Sequence, residues 1–139
     1  MSHSIKSIKI TVFAFICVGT FIISCSKDKK IPPTLDFITG AGYTSADSHV
    51  ALSTSFKIGV DAKRTEDNDD LKTFTVTVSL NGGTETNVDN VTIPTAQAGE
   101  FTKDYNLATG SIAASYKYTF TVTNRDGLIT TKSITITSP

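Results

Sequence analysis

Three long stretches of this chain place an apolar residue at every second position and a threonine, or another small polar residue, between. Phe74, Val76, Val78 and Leu80 alternate with Thr73, Thr75, Thr77 and Ser79. Tyr116, Tyr118, Phe120 and Val122 alternate with Lys117, Thr119, Thr121 and Thr123, and Ile134 and Ile136 lie among Ser133, Thr135 and Thr137. A fourth stretch carries Val50, Leu52, Phe56, Ile58, Val60 and Ala62 against Ser53, Ser55, Lys57 and Asp61. A period of two is the geometry of a strand with one face in a core and the other in water. Threonine on the wet face reinforces it, because a branched β-carbon fits the pleat and resists a helix. No segment after residue 33 shows apolar residues at helical spacing, so the domain is expected to be all-β.

Turn chemistry divides this pattern. Asn81-Gly82-Gly83 and Asn124-Arg125-Asp126-Gly127 supply residues that tolerate positive φ and predict two tight hairpins. With Gly99 and Gly110 as further breaks, seven strands are expected, at about 34–38, 50–62, 71–80, 84–93, 100–107, 115–124 and 128–137. The fourth is the weakest, since Val88 and Val91 fall out of phase and imply a bulge. Seven short strands of this kind predict an antiparallel β-sandwich of the immunoglobulin-like type.

The start of the chain obeys a different rule. Lys6 and Lys9 precede a run of about fourteen mostly apolar residues, Ile10 to Ile23, too short for a comfortable membrane span and laid out as a secretory signal. Ile22-Ile23-Ser24-Cys25, with an apolar residue at −3, a small one at −1 and a cysteine at +1, resembles the lipobox of bacterial lipoproteins. That resemblance implies a leader at 1–24, removed on export, and Cys25 acylated as the first residue of the remaining chain. Residues 25–33, with Ser26-Lys27-Asp28-Lys29-Lys30 and Pro32-Pro33, then read as a tether before a domain at 34–139. Eight such residues reach at most about 26 Å. The charged stretch is mostly basic, whereas the surface-export tag of Bacteroidetes lipoproteins is usually acidic. The leaflet face of the expected outer-membrane location, outward or periplasmic, therefore stays open.

Loss of Lys6 and Lys9 from the 13 basic residues leaves 11 against 13 acidic ones. No basic stripe remains for a phosphate backbone, and nucleic acid is not expected as a partner. Cys17 lies in the leader, so the domain has no thiol pair and stands on its own packing.

The stretch Tyr118-Thr119-Phe120-Thr121-Val122-Thr123-Asn124-Arg125-Asp126-Gly127, followed by Ser133-Ile134-Thr135-Ile136-Thr137, resembles the closing hairpin of bacterial immunoglobulin-like and polycystic-kidney-disease-type (PKD) domains. Together with the lipobox, the chain is similar to small single-domain lipoproteins of the Bacteroidetes. It lacks the core tryptophan and the inter-sheet cysteine pair of antibody domains, which places it with the disulfide-free branch. The resemblance implies a corner tyrosine near the start of the sixth expected strand, its hydroxyl bonded to backbone at the crossing before it. Tyr118 takes that place, with Tyr116 as the alternative.

Few residues suggest chemistry. Asp47-Ser48-His49 joins the residue types of a hydrolase triad, but adjacent residues cannot form one, and His49 reads as a polar residue opening a strand. There is no phosphate loop, metal-spaced Cys/His set or nucleophile elbow, and an enzyme is not expected. Glu66, Asp67, Asp69 and Asp70 form the one dense acidic cluster; it is a solvated loop or, as the weaker alternative, a calcium site without EF-hand spacing. No other cofactor is expected. Tyr43, beside Gly40 and Gly42, and Tyr105 are candidate contact aromatics for a glycan or protein, set against a packing role as lids over the core. The function expected from these readings is a membrane-anchored, non-catalytic binding or adhesion module for a glycan or an envelope or cell-surface protein. The alternative is an accessory subunit of an envelope complex that pairs through an open sheet edge.

Overall fold

The alternating stretches fold into two facing sheets in a computed structural model that describes residues 30–139. The expected leader and Cys25 lie outside those residues. Eight strands form: β1 (Thr34–Phe37), β2 (Ser48–His49), β3 (Ser55–Lys63), β4 (Leu71–Leu80), β5 (Glu85–Thr92), β6 (Glu100–Ala108), β7 (Ala114–Asn124) and β8 (Ile129–Ser138). A single 3₁₀ turn at Thr95–Gln97 is the only helical element among the described residues. One sheet has the order β1-β3-β6, the other β2-β8-β7-β4-β5. Every pairing is antiparallel except the short β2–β8 contact, which is parallel. The architecture is the all-β sandwich that the period of two requires.

The inward set is the predicted one except at Leu52 and at the end of β4, where the phase slips and Ser79 is buried while Leu80 turns outward. Leu35, Ile58 and Val60 from one sheet meet Phe74, Val76, Phe120, Val122, Ile134 and Ile136 from the other, all essentially inaccessible to water. Phe74 stands at the centre, 5.2 Å from the ring of Phe101 and 6.4 Å from that of Phe120. Side chains of this size each contribute roughly 1.5–3 kcal/mol by leaving water.

Two departures from the expected strands have local causes. The strand expected at 50–62 is broken: β2 belongs to the five-stranded sheet, β3 to the three-stranded one, and the chain changes sheets between them at residues 50–54. Ser53 makes the change with φ of 51°, and Leu52 is turned out to 40% exposure instead of entering the core. The phase break in the fourth expected strand is a bulge: Val76 pairs with Asp89 and Thr77 with Asn87, so Val88 is the extra residue. The bulge aims Asp89 inward, where its Oδ2 accepts from Lys103 Nζ at 2.6 Å and Tyr105 OH at 2.9 Å, both on the facing sheet.

The hairpins form at the predicted residues. Asn81 and Gly82 both have positive φ between β4 and β5, as a primed turn demands. Between β7 and β8, Asn124 Oδ1 accepts from Leu128 N, and Gly127 takes φ of 81°. The outer side of β8 is covered toward its C-terminal end. β2 covers its last residues, Asp47 Oδ1 accepts from Thr135 N at 2.7 Å, and Lys132 pairs with Asp36 of β1. β5 has β4 on one side only, and its other side is an open edge.

Candidate functional site

Strand direction sorts the loops into two poles. Pro32-Pro33 leads into β1, and Thr34 lies beside Lys63 at the end of β3, so the tether enters at the pole formed by loops 63–70, 93–99 and 124–128. Thr65 Oγ1 reaches the carbonyls of Ile31 and Pro32, and Thr130 Oγ1 donates to that of Pro33, which fixes the point of entry. Loops 50–54, 80–84 and 109–113 lie at the opposite pole, which we call the tip.

The tether pole is charged. Arg64 Nη1 binds Asp70 Oδ1 at 2.9 Å, and its Nη2 stands 3.8 Å from Asp67. Lys63 bridges Asp61 and Glu100, whose carboxylates raise its pKa, Glu100 first. The acidic cluster is thus drawn apart: Asp67 and Asp70 turn to Arg64, while Asp69 is buried at 3% exposure. No group of three or more metal-ligating side chains converges among the described residues, so Glu66, Asp67, Asp69 and Asp70 do not form a shared cage. Buried polar atoms without a protein partner, Asp61 Oδ1, Asp69 Oδ2 and Asn124 Nδ2, lie on this half of the molecule.

The tip has no ionisable side chain in any of its three loops. Neutral hydrogen bonds knit it together. Buried Thr109 is the hub: its Oγ1 donates to Ala51 O at 2.6 Å and accepts from Thr54 N at 3.0 Å. Ser53 N donates to Gly110 O, Asn81 N to Ser115 O, and Ser115 N returns a bond to Asn81 Oδ1. Loops held this way present fixed side chains, and those they present are aliphatic. Ile112 is 79% exposed, Leu80 51% and Leu52 40%. Leu80 and Ile112 border a shallow groove of about 320 Å³ floored by Gly110, Ala113, Ala114 and Tyr116.

The corner tyrosine is Tyr116, not Tyr118. Tyr116 OH accepts from Gly110 N at 2.8 Å, at the crossing between β6 and β7. Tyr118 lies on the same inward face; its ring packs edge-on to Phe56, and its hydroxyl has no protein partner among the described residues. Burial, with the nearby Tyr116, pushes the Tyr118 phenol pKa up. Its role is core packing.

The other singled-out aromatics are engaged. Tyr43 crosses the outer face of the three-stranded sheet, where its OH donates to Asp104 at 3.1 Å and Lys57 Nζ stands 5.2 Å from its ring. Gly59 makes room for it, since a Cβ there would lie 2.6 Å from Tyr43 Cε1. Tyr105 is buried beside Phe74 and Phe120, and burial together with its bond to Asp89 raises its pKa strongly. The Tyr105 ring is not displayed for a ligand, whereas Tyr43 is half-buried on the outer face with its hydroxyl engaged by Asp104. In the Asp47-Ser48-His49 run, Asp47 accepts from Thr135 N and Ser48 donates to Ala46 O, so both are committed to backbone. The tip itself has no signature in the sequence beyond three uncharged loops, each with one Leu or Ile, and their meeting at one pole is a product of topology.

No family model matches this sequence, and no curated protein matches it. Among solved structures, the superoxide reductase (neelaredoxin) from Ignicoccus hospitalis is similar in fold, with a TM-score of 0.52 at 12% identity over 84% of this chain and 86% of that one. The sporulation control protein Spo0M from Bacillus subtilis gives a TM-score of 0.47 at 8% identity, over 77% of this chain and 49% of that one. The first likeness, at an identity this low, speaks for the β-sandwich fold alone.

Proposed function

We propose that this chain is a lipid-anchored envelope lipoprotein whose sandwich is a non-catalytic binding or adhesion module. The observation that carries the reading is polarity: the tether enters at the pole that carries the loop ion pairs, and three loops without an ionisable side chain occupy the other. A lipid on Cys25 would attach the domain to the bilayer from its charged pole, through a tether of at most about 26 Å. Two or more acyl chains give firm anchoring at roughly 0.8 kcal/mol per buried CH₂. The lipobox-like Ile22-Ile23-Ser24-Cys25 supports an outer-membrane address, and the β7–β8 hairpin supports kinship with immunoglobulin-like and PKD-type domains of Bacteroidetes lipoproteins. Metabolic labelling with a palmitate analogue tests the anchor. Wild-type chain should carry label and sediment with membranes, and Cys25→Ser should do neither; label retained by Cys25→Ser would overturn the assignment.

A second reading, an accessory subunit of an envelope complex, is favoured by β5. Its eight residues include only Glu85 and the inward Asp89 as charges, and its outer side is unpaired. Such an edge accepts a partner strand. The bulge at Val88 would limit the added ladder to the segments on either side.

A further inference from the structure

We infer that Asn81-Gly82, in the β4–β5 hairpin, is a latent deamidation site that the native turn holds shut and that local opening of the tip releases. Asparagine before glycine is the pair most open to succinimide formation, because no side chain on the second residue obstructs the approach of its amide nitrogen. The chain has six asparagines and one such pair, together with one Asp126-Gly127 pair that can close the same ring. The structure separates these positions by the nitrogen that would attack. Asp69 N, after Asn68, donates to Glu66 O; Arg125 N, after Asn124, donates to Asp70 O; Gly127 N, after Asp126, donates to Asn124 O. Asn87, Asn90 and Asn106 lie within β5 and β6, ahead of branched Val88, Val91 and Leu107. Gly82 N donates to no acceptor among the described residues, and a Cβ on Gly82 would meet nothing within 4 Å, so solvent base reaches it freely.

The step needs only water. Gly82 N gives its proton to solvent base and attacks Asn81 Cγ; the N–Cγ bond forms, the Cγ–Nδ2 bond breaks, and Nδ2 takes a proton and leaves as ammonia. Water then adds to either carbonyl of the succinimide and opens it to aspartate or isoaspartate. Conformation withholds the attack. The ring closes only when rotation about the Cα–C bond of Asn81 brings Gly82 N to the side of Cβ. Asn81 has φ of 50°. Left-handed backbone combines such a φ with ψ of about +47°, which sets Gly82 N opposite Cβ and out of reach of Cγ. Ser115 locks that rotation from both sides, since its carbonyl accepts from Asn81 N and its N–H donates to Asn81 Oδ1, each at 2.8 Å. Conversion therefore waits for opening, at the open fraction times the rate of the free chain. Its product is the first ionisable group in the three tip loops. Aspartate keeps an acceptor for Ser115 N, whereas isoaspartate adds a methylene to the backbone between the paired Ser79 and Glu85.

The test incubates the full chain in mildly alkaline buffer made with heavy-oxygen water, once folded and once in urea, and maps its peptides by mass spectrometry. In urea, label should enter position 81 ahead of every other asparagine. In the folded chain, conversion at Asn81 should be slower by about tenfold or more. Ser115→Pro removes the donor to Oδ1 and keeps the carbonyl; a variant that melts normally should convert about fivefold faster than the folded wild type. Ser115→Ala, which keeps the N–H, should not differ from wild type. If Ser115→Pro does not fold, the wild-type comparison decides alone. A folded rate within about tenfold of the urea rate, no preference for Asn81 over Asn68 and Asn124 in urea, or a folded Ser115→Pro that converts no faster would each overturn the proposal.

Discussion

The two poles of this sandwich are closed by opposite means. At the tether pole, long charged side chains pair across loops, and Asp69, Asp61 and Asn124 each keep a buried polar atom without a protein partner. At the tip, small neutral groups close the same kind of gap, and every bond centres on backbone or on Thr109 and Asn81. Exposed ion pairs are worth about 0–1 kcal/mol and weaken in salt, whereas buried neutral bonds left unmade cost about 1–3 kcal/mol each. Both poles carry backbone bonds, Arg64 N to Gly99 O and Leu71 N to Ala98 O at one and Ser53 N to Gly110 O at the other, so the ion pairs are an addition that salt can remove and the Thr109 hub is not. The comparison therefore predicts that the uncharged end is the stiffer one.

The sharpest way to break this contrast is Thr109→Val, which keeps the shape and removes the hub. It leaves Thr54 N and Ala51 O without their partner and should cost about 1–3 kcal/mol in urea unfolding, with faster amide exchange in loops 50–54 and 109–113. Equal exchange at both poles would end the claim that the tip is the rigid one. Next in size is Tyr116→Phe, expected to cost about 1 kcal/mol through the freed Gly110 N, against a near-neutral Tyr118→Phe. The reverse ranking would restore Tyr118 as the corner residue.

Asp89 belongs to neither pole and calibrates both. The hydrogen bond from Lys103 holds its carboxyl pKa below the usual range despite partial burial. The unfolded chain thus binds the proton more readily. The resulting stability is present above the ordinary carboxylate pKa and is lost as pH falls through the lowered folded value. Asp89→Asn should flatten that part of the acid-unfolding curve and cost up to about 1 kcal/mol at neutral pH. An unchanged acid limb would remove the inter-sheet role given to Asp89. The smallest effect is expected from Arg64→Gln, within about 0.5 kcal/mol and vanishing in high salt. A loss several times larger would make the tether pole the stiffer end.

Much of the fold was legible because an alternating strand states its own faces. Phe74, Val76, Phe120, Val122, Ile134 and Ile136 could be placed inside from phase alone, and the lapse at Val88 announced the bulge. The change of sheet at Ser53 could not be read, since Val50, Leu52 and Phe56 keep even spacing straight through it and no residue type there marks a positive φ. Tyr116 and Tyr118 share one phase, so periodicity is blind to which hydroxyl meets Gly110. Thr109 is one threonine among many until topology brings Ala51 and Thr54 to it. The acidic run looked like a ligand set because Arg64, which draws two of its members away, lies just ahead of it with no pattern that marks its reach.

The uneven cover on the outer side of β8 has a consequence for molecules crowded on one surface. Growth of a fibre by strand pairing needs two free edges per sheet, one to receive and one to offer. Here β2 and the Asp47 carboxylate on Thr135 N take the last third of one edge of the five-stranded sheet, and only its first residues, beside the Lys132–Asp36 pair, stay free opposite β5. A partner added at β5 leaves just that short, charge-flanked segment for a further strand, which disfavours polymerisation through this sheet.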